Sequence, residues 1–210
     1  MFDLDGTLTN PKEGIINSYI YSLNKFNIKE NNPESLSGFI GNPLQDCFTN
    51  KYGLIDRDLE LAITYYREYF SEKGAYENVI YPGVTGLLSY LKSSGKNVYI
   101  VTTKAKQFAV KILEHFKISE YFKNVYGSDL LFYSSINKEK GELIREAIIN
   151  EKLLNSESIM IGDRKFDING AKNNGIKTVA VTYGFGSIEE LEEAEPDFIV
   201  NSVDELYKIL

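Results

Sequence analysis

The sequence predicts an α/β protein: a parallel sheet with helices on both faces, interrupted after its first strand by an all-helical insertion. Three observations predict it. From residue 79 onward, short apolar runs rich in β-branched residues alternate with amphipathic stretches. Residues 11–76 carry helical periods and no convincing strand. Thr102 and Asp163 sit just past two apolar runs, at strand carboxyl ends, where doubly wound sheets place their sites.

The elements follow in order. Only Met1 and Phe2 precede Asp3, whereas a buried strand usually has ~5 residues. The sequence therefore predicts either an unusually short first strand or missing upstream residues. Asn10-Pro11-Lys12-Glu13 combines a capping residue, Pro at the first helical position and Glu at the third. Ile15, Ile16, Tyr19, Ile20, Leu23 and Phe26 then form a helical stripe. A second long helix carries Leu59, Ile63, Tyr66 and Phe70, with Gly74 as its end. Beyond it, 97–102 reads as a buried strand, and Phe108, Ala109, Ile112, Leu113 and Phe116 as a helix. Leu143, Ile144, Ala147 and Ile148 mark another helix. Ser158–Ile161 is a strand, followed by a helix ending at Gly175. Thr178–Val181 and Asp197–Val200 are the last strands. The predicted organisation is a core of 1–10 and 77–210 with a helical insertion at 11–76.

The 210 residues suit one large or two small domains. With 23 basic against 30 acidic residues the net charge is −7, which disfavours nucleic acid and anionic membranes as partners. The single cysteine, Cys47, cannot form an internal disulfide and fits a reducing, cytoplasmic setting; it reads as a small buried residue of the insertion. No apolar run approaches the ~18 residues of a membrane span, and Met1–Asp5 lacks the basic start of a signal peptide. One histidine, His115, and one cysteine cannot assemble a His/Cys metal site, and no Ser-His-Asp triad is supported. His115 reads as a surface or boundary residue, and Glu189, Glu190, Glu192 and Glu193 as a solvated helix face.

Four motifs carry chemistry. Asp3-Leu4-Asp5-Gly6-Thr7-Leu8-Thr9 places two carboxylates two apart at a strand end, with Gly6 permitting a sharp turn. Such a pair can divide labour between nucleophile and acid/base, although a solvated acidic turn has the same composition. Thr102-Thr103-Lys104 follows a strand, where a hydroxyl and free N–H groups suit either phosphate or a helix cap. Lys140 opens a predicted helix. Gly162-Asp163-Arg164-Lys165-Phe166-Asp167 offers carboxylates to a hard cation such as Mg²⁺, or a cap to the following helix.

Together, and in this order, these motifs resemble the haloacid dehalogenase superfamily of phosphatases. Tyr81-Pro82-Gly83-Val84, 170–176 and 182–187 are most similar to its phosphoglycolate phosphatase branch, including nucleotidase- and pyrophosphatase-like relatives. The resemblance implies a Rossmann-like core with a helical cap and hydrolysis of a small phosphorylated metabolite. It implies Asp3 as nucleophile forming an aspartyl-phosphate, and Asp5 as general acid/base. Mg²⁺ would be held by Asp3, the backbone carbonyl of Asp5, Asp163 and, directly or through water, Asp167. Gly6, Thr102, Thr103 and Lys140 would serve phosphate binding. Lys140 is preferred over Lys138 because Gly141-Glu142-Leu143-Ile144 follows it; Leu130-Leu131-Phe132-Tyr133 is more apolar than relatives usually show there. The loop 37–44 resembles the cap segment that meets substrate, but Gly41-Asn42-Pro43 equally suits a plain turn. A monomer or weak homodimer is expected. A phosphomutase of the same fold and a non-catalytic binding protein are the alternatives; dehalogenase and phosphonate chemistry are disfavoured.

Overall fold

The computed structural model describes residues 1–128 and 139–210. The apolar segment 130–133 and the competing Lys138 lie outside the described residues. The chain forms two compact units, Met1–Asn10 with Ile80–Leu210, and Pro11–Val79. It passes between them beside two short strands, β1 (Thr9–Asn10) and β2 (Val79–Ile80).

The second unit is helical. Its two long helices are α1 (Lys12–Lys25) and α3 (Asp56–Tyr69), with a single turn α2 (Leu44–Asp46) between them. Ile15, Tyr19 and Leu23 recur at four-residue spacing on α1 and are buried. On α3 the buried positions are Ala62 and Tyr66, so the stripe centres on Ala62; Leu59 and Ile63 lie half-buried at its margins. The small Ala62 lets the helices approach, and Ser22 Oγ donates to the Ala62 carbonyl at 2.7 Å. Tyr19 packs on Phe48 and Tyr66, with ring centroids 5.2 and 4.8 Å apart. Cys47 is buried among them, and its thiol is pushed up to about 12 by burial. One entry detail differs from the sequence reading. Pro11 itself takes the cap position of α1, and no side chain caps it. Instead the Glu77 carbonyl accepts from Gly14 N–H at 3.0 Å. The exit agrees with it: helix α3 runs on into a wider turn, Phe70–Gly74, and stops at the predicted Gly74.

In the first unit, β3 (Tyr99–Ala105) pairs with β4 (Asn124–Ser128), and β5 (Ile159–Gly162) pairs with β6 (Lys177–Val181), which pairs with β7 (Phe198–Val200); all pairs are parallel. Phe2 bridges Ile100 on one side and Ile161 on the other, also in parallel. Phe2 N–H donates to Tyr99 and Asp3 N–H to Ile161, while Val101 and Ile161 donate to Phe2 and Met1, all at 2.9 Å. Met1–Asp3 is thus the central strand, giving the order β4-β3-(Met1–Asp3)-β5-β6-β7. Pairing on both edges makes it a strand, and three residues carry no periodicity of their own.

The helices of this unit are α4 (Val84–Ser93), α5 (Lys106–His115), α6 (Lys140–Glu151), α7 (Lys165–Lys172), α8 (Ile188–Glu193) and α9 (Val203–Leu206). Leu143, Ile144 and Ala147 of α6 and Ala171 of α7 share one buried cluster with Tyr99, Val101, Tyr126 and Met160 of the sheet. Helix α7 stops at Lys172, earlier than predicted; Gly175 takes φ +67° in the turn that follows. Strand β3 continues to Ala105, three residues past the predicted end. Among the described residues no helix is long and apolar enough to cross a membrane.

Candidate active site

The sheet brings the predicted residues together at the carboxyl ends of its middle strands. Pairing ends at Asp3, and the chain turns at once: Leu8 and Thr9 N–H both donate to the Leu4 carbonyl, at 2.9 and 3.0 Å. Gly6 sits in this turn at φ +85°, and its N–H donates to Thr9 O at 2.8 Å. A Cβ at Gly6 would lie 2.1 Å from Asp163 Oδ2, so only glycine leaves room for that carboxylate.

Asp163 and Asp167 follow β5. Asp163 is fully buried; its Oδ1 accepts from Thr7 Oγ1 at 3.2 Å and its Oδ2 from Phe185 N–H at 2.8 Å. Asp167 Oδ2 accepts from Arg164 N–H at 3.1 Å, which fixes the carboxylate over the start of α7. One oxygen from each of Asp3, Asp163 and Asp167 lies within 4.8 Å of the others. Lys140, at the first position of α6, reaches into this group. Its Nζ stands 2.8 Å from Asp3 Oδ1 and 2.7 Å from Asp167 Oδ1, and donates to the Val101 carbonyl at 3.0 Å. Asp5 faces a different cation: Lys104 Nζ is 2.6 Å from its Oδ2, and both side chains are largely buried. Thr102 is buried, and its hydroxyl accepts from Lys104 N–H at 3.3 Å. Thr103 is half-buried beside it on β3.

The charge count is unequal. With all three ionised, the buried carboxylates facing one ammonium leave two negative charges, the complement of one divalent cation. The Oδ1 atoms of Asp3 and Asp167 accept no aligned hydrogen bond, so both keep lone pairs for a ligand. A donor set of carboxylate oxygens alone suits a hard ion such as Mg²⁺. The titration reflects the same imbalance. Burial, then the charges of Asp167 and Asp3, hold Asp163 well above the usual carboxylate range. Burial lifts Asp167 to about 6 against the pull of Lys140. Burial opposes the charge of Lys140, but Asp167 and Asp3 outweigh it and keep the ammonium protonated. Burial also raises Asp5, with Lys104 acting against it.

These shifts set a pH dependence. Asp167 binds its proton more tightly folded than unfolded, and Asp163 does so too. The stability Asp167 adds is complete below its unfolded value near 3.8 and is lost as pH rises through about 6. In EDTA the melting temperature is therefore expected to be lower at pH 7.5 than at pH 5. Asp167→Asn should flatten that difference; an unchanged difference in the variant would reject this origin.

Several contributors escaped the sequence reading. Thr7 and Phe185 N–H hold Asp163, Tyr183 OH donates to Thr7 O at 3.0 Å, and Lys104 pairs with Asp5. Gly184 and Gly186 press against Asp163: Cβ atoms there would lie 2.3 and 2.1 Å from its Cβ and carbonyl oxygen. The quoted segment 182–187 contains these glycines, but nothing local in it marks Asp163 as their partner. Glu190 departs from a solvated face, because it pairs with Arg164 at 2.8 Å.

The haloacid dehalogenase-like hydrolase family profile matches residues 1–181. The chain belongs to this family. Its relatives include phosphatases. A 5′-nucleotidase of Pseudomonas aeruginosa is 39% identical over all of this chain and 94% of its own length. The pyrophosphatase PpaX of Bacillus cereus is 33% identical, again over all of this chain and 94% of its own. The crystal structure of a predicted phosphatase from Clostridium acetobutylicum superposes with a TM-score of 0.91 at 45% identity, covering 99% of this chain and 95% of that one. The haloacid dehalogenase-like fold and its phosphatase class thus agree with the resemblance drawn from the motifs.

Proposed function

We propose that the protein is a Mg²⁺-dependent phosphatase of small phosphomonoesters that works through an aspartyl-phosphate on Asp3. The observation that carries this reading is the buried set Asp3, Asp163 and Asp167 with Lys140 as its single ammonium. Asp3, Asp163, the Asp5 carbonyl and, directly or through water, Asp167 would hold Mg²⁺, whose charge would neutralise the phosphate as an anionic nucleophile approaches.

The chain's own groups divide the work. An Asp3 carboxylate oxygen forms the bond to phosphorus as the bond to the leaving oxygen breaks. Asp5, whose proton affinity burial raises, gives its proton to that leaving oxygen. Water then attacks the phosphorus and loses a proton to Asp5, which frees Asp3 and releases phosphate. Lys140 and Thr102 would hold the equatorial oxygens, with Thr103 and the Gly6 turn beside them. Lys140 also keeps the Asp3 carboxylate oriented by standing between it and Asp167.

The names of the 5′-nucleotidase and pyrophosphatase relatives are the reason to test nucleoside 5′-monophosphates and pyrophosphate first, with phosphoglycolate and sugar phosphates beside them. Hydrolysis of p-nitrophenyl phosphate and of this panel is expected to vanish in EDTA and return with Mg²⁺. Turnover that survives EDTA, or a Mg²⁺-loaded protein inert toward every member, would overturn the reading.

A further inference from the structure

Asp163 owes its position to the segment 182–187, which donates Phe185 N–H to its carboxylate and packs two glycines against it. That segment ends at Ser187, whose hydroxyl accepts from Glu190 N–H at 3.1 Å and so starts α8. The Glu190 side chain then turns back toward the start of α7. Its Oε1 accepts from Arg164 Nε at 2.8 Å and from Lys165 N–H at 3.0 Å, and its Oε2 from Arg164 Nη2 at 3.3 Å. Both side chains are mostly buried, at 12% exposure for Arg164 and 19% for Glu190. Forked pairing of this kind fixes orientation as well as distance. Arg164 lies between the two acidic residues of its motif: it follows Asp163 directly, and its N–H donates to Asp167.

We propose that Glu190 is a positioning residue for the metal centre. Through Arg164 and the Lys165 N–H it locks the segment over Asp163 to the helix start that presents Asp167, and so fixes the spacing of those two carboxylates. The proposal rests on the metal reading above and assigns a role to a residue that touches neither metal nor substrate.

Calorimetric titration of the substrate-free protein with Mg²⁺ tests it. Glu190→Ala should weaken Mg²⁺ binding by about tenfold, as loss of groups that orient metal ligands typically does. Glu190→Gln keeps one acceptor oxygen for Arg164 Nε and the Lys165 N–H, loses the acceptor for Arg164 Nη2, and should recover part of that loss. Glu195→Gln removes an exposed acid paired with Lys172 on the same side of the chain's end and should bind Mg²⁺ like the parent. A lowered melting temperature in EDTA with unchanged Mg²⁺ affinity in both Glu190 variants would reduce the contact to a structural one and overturn the proposal. If Glu190→Ala does not fold, the Glu190→Gln affinity decides alone. A parent protein that binds no Mg²⁺ would instead defeat the metal reading itself, so the two failures are distinct.

Discussion

Asp3→Asn is expected to lower turnover of p-nitrophenyl phosphate by roughly a thousandfold or more, in a protein that still folds. An amide is nearly the same size as a carboxylate but is too weak a nucleophile to attack phosphorus. The substitution leaves the backbone pairing of Met1–Asp3 with β3 and β5 intact, because those bonds use N–H and carbonyl groups only. It also removes one of three mutually repelling charges, so the melting transition in EDTA should persist. Steady-state assay beside thermal melting separates loss of chemistry from loss of fold. A variant that keeps a tenth of the parent's activity would remove Asp3 from the nucleophile's role.

Lys140→Met is expected to damage both stability and chemistry. The lysine is 3% exposed and sits within 2.8 Å of Asp3 and 2.7 Å of Asp167. Methionine matches the stem but leaves buried carboxylates with no ammonium. Breaking a buried ion pair from one side costs about 3–5 kcal/mol. In EDTA the melting temperature should fall accordingly, and the Val101 carbonyl loses its side-chain donor. Mg²⁺ should recover more stability in the variant than in the parent, since it then supplies the only compensating charge. Activity should fall even at saturating Mg²⁺, because the ammonium proposed to receive phosphoryl oxygens is gone and Lys104 stays paired with Asp5. Equal Mg²⁺-induced shifts in variant and parent would contradict the shared-charge account.

How far the sequence could be read depends on where each element's information resides. Strands β3, β5, β6 and β7 were legible because β-branched runs declare themselves locally. Strand β4 was not: between Asn124 and Ser128 it holds only the apolar pair Val125 and Tyr126, and its register on β3 supplies the rest. Helix α4 was overlooked although Val84, Leu87, Leu88 and Leu91 follow a helical period and are buried. Asp3, Asp5, Lys140, Asp163 and Asp167 were legible as motifs. Their division into a net-negative cluster around Lys140 and a separate Asp5–Lys104 pair was not. Partners separated by 99 residues leave no mark in local spacing. The glutamate run shows the same limit. Its composition describes a wet helix face, while Glu190 alone turns inward to Arg164.

The central strand carries a consequence for the order of events during synthesis. Met1–Asp3 leaves the ribosome early, yet its partners are Tyr99 and Val101 on one side and Ile161 on the other. Asp3 therefore waits unpaired until residue 161 exists, and it is seated only when β5 arrives with Asp163 one residue behind it. Residues 11–79, by contrast, form a contiguous unit whose contacts are all available beforehand. Sequence-distant pairing of this kind makes folding slow and late. A nascent chain stopped short of β5 can hold a finished helical unit but has no seat for Asp3 beside Asp163.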